Sequence, residues 1–257
     1  MRIDVNAFVG HYPFRRVEGG APEQLLAAMD RVEIDQAWVG NLPAVFWRDP
    51  TEGNETLYRI AAAHDRLKPM PAVHPGLDGW REGLAEAADR GAPAVRVDPL
   101  FYGIAPLGPE MAAVATEAGR LGLPLVLAVK LEDGRQRHPN DGSADLTSAV
   151  IRGLLRLDER ARFIVTHADR DCVEQVHYGS TPDEAARVLW DICWLWGPPQ
   201  DDLEHLVRTI GPDRFCFGTG MPLRIPESSV AKLELLDLPR ETRQTIDGGN
   251  ARRFQRQ

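Results

Sequence analysis

Leu123-Pro124-Leu125-Val126-Leu127-Ala128-Val129-Lys130-Leu131, followed by a helical pattern from Ala144 to Leu157 and then by Arg162-Phe163-Ile164-Val165-Thr166-His167, decides the architecture. Both apolar runs are continuous rather than alternating. That marks strands covered on both faces, as in parallel sheets whose crossover helices shield each side. The same unit repeats outward. Strands are expected at Ile3 to Phe8, Gln36 to Gly40, Leu67 to His74, Ala94 to Asp98, Val188 to Trp194 and Phe215 to Gly218. Helices are expected at Pro22 to Arg31, Glu55 to His64, Gly79 to Arg90, Glu110 to Leu121, Asp201 to Ile210 and Pro239 to Thr245. Eight strands alternating with helices predict an α/β protein, a (β/α)8 TIM barrel, with residues 1–257 as one domain. The first turn, Gly10-His11-Tyr12-Pro13-Phe14, lacks the G-x-G-x-x-G of a dinucleotide-binding doubly wound sheet.

Composition narrows the function classes. A 43% hydrophobic content is too high for a disordered chain, and the longest apolar runs fall short of the roughly 18 residues that span a bilayer. The net charge of −8 argues against nucleic acid and anionic membrane as partners. Cys172, Cys193 and Cys216 are scattered and form no C-x-x-C pair, which predicts buried reduced thiols. Met1-Arg2-Ile3-Asp4-Val5-Asn6 has no apolar signal-peptide core, so the expected location is the cytoplasm. The expected partner is a small-molecule substrate. Self-association stays open, with Phe46-Trp47-Arg48 as an interface or a lid.

In a barrel of this type chemistry sits at the C-terminal ends of the strands. The polar residues there are Asn6, Asn41, His74, Arg96, Asp98, Lys130, Glu132, Asp133, His167, Asp169, Asp191 and Thr219. Strand alternation places Arg96 and Asp98 on one face of the fourth strand, and Ala128, Lys130 and Glu132 on one face of the fifth.

The order of motifs resembles the amidohydrolase superfamily. Ile3-Asp4-Val5-Asn6-Ala7-Phe8 looks like its opening Asp-x-His-x-His strand, and Gly122 to Ala128 like its fifth strand. Phe163-Ile164-Val165-Thr166-His167 resembles its sixth strand, and Phe217-Gly218-Thr219-Gly220-Met221-Pro222 the turn after its eighth. Gly248-Gly249-Asn250-Ala251-Arg252-Arg253-Phe254 is similar to the ending of the branch that holds metal-dependent decarboxylases and lactonases. By this resemblance the metal histidines of the first strand fall on Asn6 and Phe8, the fifth-strand histidine on Ala128 and the catalytic aspartate on Gly220. His167 alone keeps the family residue. The resemblance therefore implies the fold and, because a zinc site needs about three good protein ligands, no metal site of the usual kind. A single-metal arrangement at His167, with Glu132 or His138, remains as an alternative. Tyr12-Pro13-Phe14-Arg15 and the Glu132-Asp133-Gly134-Arg135-Gln136-Arg137-His138-Pro139 stretch resemble a divergent branch that also lacks the paired histidines.

These readings assign His167 as the acid/base group, partnered by Glu132, Asp133 or Asp191. Lys130 is a further catalytic candidate, since a desolvated amine becomes a base or nucleophile. Asn6, His11, Arg96, Arg135 and His138 are candidates for substrate binding, the arginines because their forks match carboxylates. The expected activity is hydrolysis of a carboxylate-bearing small molecule, with no cofactor and no metal. Two alternatives stand beside it: non-oxidative decarboxylation on the same barrel, and a catalytically silent barrel that binds a ligand or partner.

Overall fold

The computed structural model describes residues 1–255. Eight strands run β1 (Ile3–Val9), β2 (Gln36–Asn41), β3 (Leu67–Pro69), β4 (Val95–Arg96), β5 (Leu125–Ala128), β6 (Phe163–Thr166), β7 (Val188–Asp191) and β8 (Phe215–Cys216). They alternate with α1 (Pro22–Arg31), α2 (Thr51–Ala63), α3 (Trp80–Asp89), α4 (Pro109–Leu121), α5 (Ser148–Leu154), α6 (Arg170–Tyr178), α7 (Pro182–Ala186) and α8 (Asp202–Ile210). After β8 come α9 (Pro226–Leu235), α10 (Arg240–Gln244), a π-helical turn at Thr245–Gly249, and α11 (Asn250–Phe254). Every ladder is parallel, in the orders β1-β2-β3 and β4-β5-β6-β7-β8.

Two seams join these groups into a ring. Between β3 and β4, Arg96 N donates to Pro71 O at 2.8 Å and Val73 N to Arg96 O at 2.9 Å. Between β8 and β1, Val5 N donates to Phe217 O at 3.0 Å and Phe8 N to Met221 O at 2.8 Å. The ring is the (β/α)8 barrel that the apolar runs predict.

The strands are shorter than their apolar runs. Pro69 and Pro71 have no N–H to give a ladder, so the run expected to reach His74 ends as a strand at Pro69. The helix expected from Ala144 starts at Ser148, where Thr147 accepts a hydrogen bond from Val150 N at 3.3 Å as N-cap. Four helices lie outside the sequence expectation: α6, α7, α9 and α11. Their starts carry cap chemistry in two cases. Asp169 accepts from Cys172 N at 3.0 Å ahead of α6, and Thr181 with Glu184 forms a capping box ahead of α7.

The barrel interior is layered. Ile3, Val5, Trp38, Met70, Ala94, Val126, Ile164, Leu189 and Cys216 fill its lower half, with Ala251 and Phe254 of α11 as the floor. The Gly-Asn-Ala stretch explains that floor. Asn250, fully buried, donates to Pro212 O at 2.8 Å and to Phe215 O at 2.7 Å, fastening α11 under β8. Alternation then brings the next inward residues, Arg96, Ala128, Thr166 and Asp191, to the upper half. Phe8, Tyr12, Leu42, Val45 and Leu131 join Ala128 in an apolar cap, extended by Phe14, Phe46, Phe101 and Leu223 from the loops.

Candidate active site

Strand ends bring Asn6 (β1), Arg96 (β4), His167 (after β6) and Asp191 (β7) together as buried polar groups under that cap. His167 has a left-handed backbone, φ 61°, sparsely used by residues other than glycine and found where surroundings enforce it. Asp191 Oδ1 accepts from His167 N at 3.0 Å and holds it there. The same carboxylate takes Asn6 Nδ2 at 2.7 Å, and Asn6 Nδ2 lies 3.4 Å from His167 Nε2 and 3.6 Å from Cys193 Sγ. Asp191 thus reaches the imidazole through Asn6 and not by direct contact.

The tautomer follows from the neighbours. Thr166 Oγ1 donates to Leu127 O at 3.3 Å, so its lone pair accepts His167 Nδ1–H at 3.2 Å. Nε2 then carries the lone pair, engaged only by the long Asn6 contact. Burial pushes the imidazole well below its usual 6.5, and the charges of Arg224, Arg96 and Lys130 push the same way. His167 is therefore a neutral base, ringed by cations. Gly220 (φ 73°) makes room for it, since a Cβ there would meet Nε2 at 3.2 Å.

Asp4 sits beside this group. It accepts from Asn6 N at 2.9 Å, Thr219 N at 3.0 Å and Thr219 Oγ1 at 2.5 Å, so it fixes the β8–β1 seam. Burial raises its pKa from 3.8 to about 6. Asp191 is raised by burial too.

Arg96 is 1% exposed and lies with its guanidinium carbon 4.6 Å from the Phe8 ring centre. Its Nη2 reaches Asp98 at 3.4 Å, a buried ion pair with loose geometry. Its Nε and Nη1, Asp98 Oδ2, Tyr102 OH and Asn6 Oδ1 have no protein partner. Buried polar atoms are rarely left so, and ones gathered at a barrel mouth are available to a ligand or to water.

The remaining sequence candidates spread around the rim. Lys130 is 3.7 Å from Asp169 and 4.9 Å from the Trp194 ring centre. Glu132 is buried and paired with Arg15 at 2.7 Å, away from His167's hydrogen-bond partners. Asp133 and Arg135 bond to each other at 2.8 Å on the surface, and Arg135 holds that carboxyl well below the usual range. His138 stacks on Phe14 at 5.3 Å, in the aromatic cap. His11 lines a separate cavity with Gly20, Gln24, Asn41 and Thr56. Of the three acids proposed beside His167, Asp191 is the one that shares its network.

Sequence reasoning passed over Arg224. Its guanidinium carbon lies over Trp194, 3.6 Å from the ring centre, and Trp194 packs edge-on to His167 at 5.8 Å. Only its place just after the turn that follows β8 could have signalled it. Cys172, expected to be buried, is partly exposed, whereas Cys193 and Cys216 are buried thiols.

Fold and site together define an α/β-barrel protein with a buried His-Asn-Asp network and a cationic mouth. The chain belongs to the amidohydrolase family, whose model matches residues 8–256. No curated protein matches the sequence. Among solved structures it is similar to 5-carboxyvanillate decarboxylase from Sphingomonas paucimobilis, with 13% identity, 98% of each chain covered and a TM-score of 0.73. It is also similar to a dihydroxybenzoic acid decarboxylase from Polaromonas with bound manganese, at 14% identity and a TM-score of 0.70, over 98% of this chain and 96% of that one. A probable 2-pyrone-4,6-dicarboxylic acid hydrolase from Acinetobacter baumannii matches at 13% identity and a TM-score of 0.67, over 98% of each chain. At such identities the likeness shows the fold.

The manganese in one of these relatives invites a test of fit. At the mouth, Phe8, Ala128 and Gly220 offer no side-chain donor, and Asn6 offers only a neutral amide oxygen. Among the described residues no three His, Cys, Asp or Glu side chains gather into a set that could hold a metal ion. The donors among the described residues do not fit a metal ion held by three such side chains.

No helix among the described residues is long and apolar enough to cross a membrane.

Proposed function

We propose that the chain is a hydrolase of a small carboxylate-bearing molecule, working by base catalysis at His167 without a metal. The observation that carries this reading is Arg96, a buried guanidinium whose Nε and Nη1 are unpartnered within reach of His167's electrostatic field. Such a group, 4.6 Å from the Phe8 ring centre, keeps donors that can serve carboxylate oxygens. His167 supplies the other half. A water would add to the substrate's acyl carbon and pass its proton to Nε2, and the proton would then move to the leaving group. The cation ring keeps the empty base neutral and weak; a bound carboxylate offsets those charges and strengthens it. Asn6 and Asp191 position the ring.

Decarboxylation is the second reading. It is favoured by the wall of Phe8, Tyr12, Phe14, Phe46 and Phe101, which would desolvate a substrate carboxylate, and by the likeness to two decarboxylases.

The test incubates purified protein with carboxylate-bearing lactones, esters and amides and with hydroxylated aromatic acids, reading hydrolysis products and released carbon dioxide. His167→Asn, which tolerates a left-handed backbone, should lower turnover by on the order of 100-fold. Activity should survive a strong chelator. Full activity in H167N, or its abolition by chelation, would sink the proposal.

A further inference from the structure

The groups assigned above to chemistry are shut in. Asn6, Arg96, His167 and Asp191 are each 1% exposed or less, so a ligand reaches them only if part of the roof moves.

Residues 10–21 join β1 to α1 without a strand or helix of their own. The two ends of this loop are pinned together. Gly10 N donates to Gly20 O at 2.8 Å, and Gln24 Oε1 of α1 accepts from Gly19 N at 3.2 Å and from Ala21 N at 3.4 Å. The pinch requires glycine: Gly10 and Gly19 both have φ 95°, and a Cβ on Gly20 would run into the Gly10 carbonyl. Compact loops closed at the base in this way can swing about their ends as units.

The free end of the loop is the roof. Tyr12 packs with Phe8 and Ala128, which flank Arg96 and Thr166. Phe14 and Tyr12 both seat against Phe46, at 5.0 and 5.8 Å. Two contacts tie the tip to the loop after β5: Arg15 Nη2 donates to Glu132 Oε1 at 2.7 Å, and Phe14 stacks on His138 at 5.3 Å. The closure is imperfect. Among the described residues neither Tyr12 OH nor Glu132 Oε2 has a partner, although both residues are 4% exposed. Buried orphans of this kind cost free energy, and opening would hydrate both.

We infer that residues 11–19 are a flap that lifts from Phe46 and the β5 loop to admit a ligand, with the Arg15–Glu132 pair as its latch. This rests on the mouth being the active site, as proposed above, but its test reads access and not turnover, so the two can fail separately.

Ala128→Cys places a thiol beneath the flap. Alkylation by iodoacetamide, read by peptide mass spectrometry, distinguishes that thiol from Cys172, Cys193 and Cys216. It should react well below the rate of a free cysteine yet faster than the whole chain unfolds. Glu132→Gln should quicken the reaction roughly five- to ten-fold without a matching rise in the unfolding rate. Arg15→Gln should do the same, and the double variant should be no faster than either single one. Labelling at the free-thiol rate, labelling limited by global unfolding, or labelling indifferent to both substitutions would each overturn the inference. Trypsin gives a second reading on the chain without the added thiol. Cleavage after Arg16 should be quickened by E132Q to the same degree, and an unchanged rate would overturn the inference as well.

Discussion

At His167 two titrations of opposite sign meet. Its folded pKa lies below the ordinary 6.5, so the unfolded chain binds the proton more tightly. The stability it contributes is present above pH 6.5 and is lost as pH falls. Asp4 runs the other way. Its folded pKa rises from 3.8 to about 6, so the folded chain keeps that proton and gains stability as pH falls from about 6 toward 4. Asp191, also raised, adds to the Asp4 side. Each slope is at most about 1.4 kcal/mol per pH unit, and they oppose one another between pH 4 and 6. Urea midpoints measured across that window should show Asp4→Asn losing stability on acidification more steeply than the parent, and His167→Asn less steeply. Parallel profiles for all three proteins would show that neither group titrates as its burial requires. Arg96→Met offers a different contrast. It leaves the buried Asp98 carboxylate without its cation, so stability should fall by about 3–5 kcal/mol, with carboxylate binding lost alongside.

At the scale of elements, the turn after β8 shapes the site by having no side chains. A Cβ on Gly218 would stand 2.6 Å from Asp191 Oδ2 and 2.8 Å from Asp191 Cβ. Gly218→Ala should therefore cost about 1–3 kcal/mol in urea unfolding, by overpacking, and should disturb the Asp191–Asn6–His167 network with it. A variant as stable and as active as the parent would mean that the turn yields. The strands were legible in the sequence because parallel strands advertise themselves as unbroken apolar runs, and a polar residue at the end of such a run, such as His167 or Asp191, points to the mouth. The loop after β5 was legible only as a concentration of charge. Its members mostly satisfy one another: Asp133 turns to Arg135, Arg137 to Asp145, and Glu132 to Arg15 from the first loop. Local pairing and convergence on a substrate look alike in a sequence, since both need the same residue types. Arg224 had the opposite problem. Nothing in its own neighbourhood distinguishes it, and its meaning comes from Trp194, thirty positions away, which the fold brings beneath it.

For the whole molecule, an acidic chain with a net charge of −8 buries both Arg96 and acids such as Asp98 and Asp191 at the barrel mouth. The lower barrel, by contrast, is apolar and closed beneath by α11. Asn250→Ala would orphan the carbonyls of Pro212 and Phe215 and leave α11 unfastened, so we expect about 1–3 kcal/mol of lost stability with the mouth's ligand affinity unchanged. Thermal unfolding alongside calorimetry would separate the two, and an affinity loss matching the stability loss would show that floor and mouth are coupled. The ring's last seam has a kinetic side. Asp4 and Thr219, which meet there, are 215 residues apart in the chain. Loop closure over such a length is costly before it is rewarded, so this seam should form after the rate-limiting step of folding. Thr219→Val, which removes the hydroxyl that Asp4 accepts, should then speed unfolding while leaving the refolding rate unchanged. The joint that completes the barrel would be the first to part, and its strength would govern how long the folded molecule lasts.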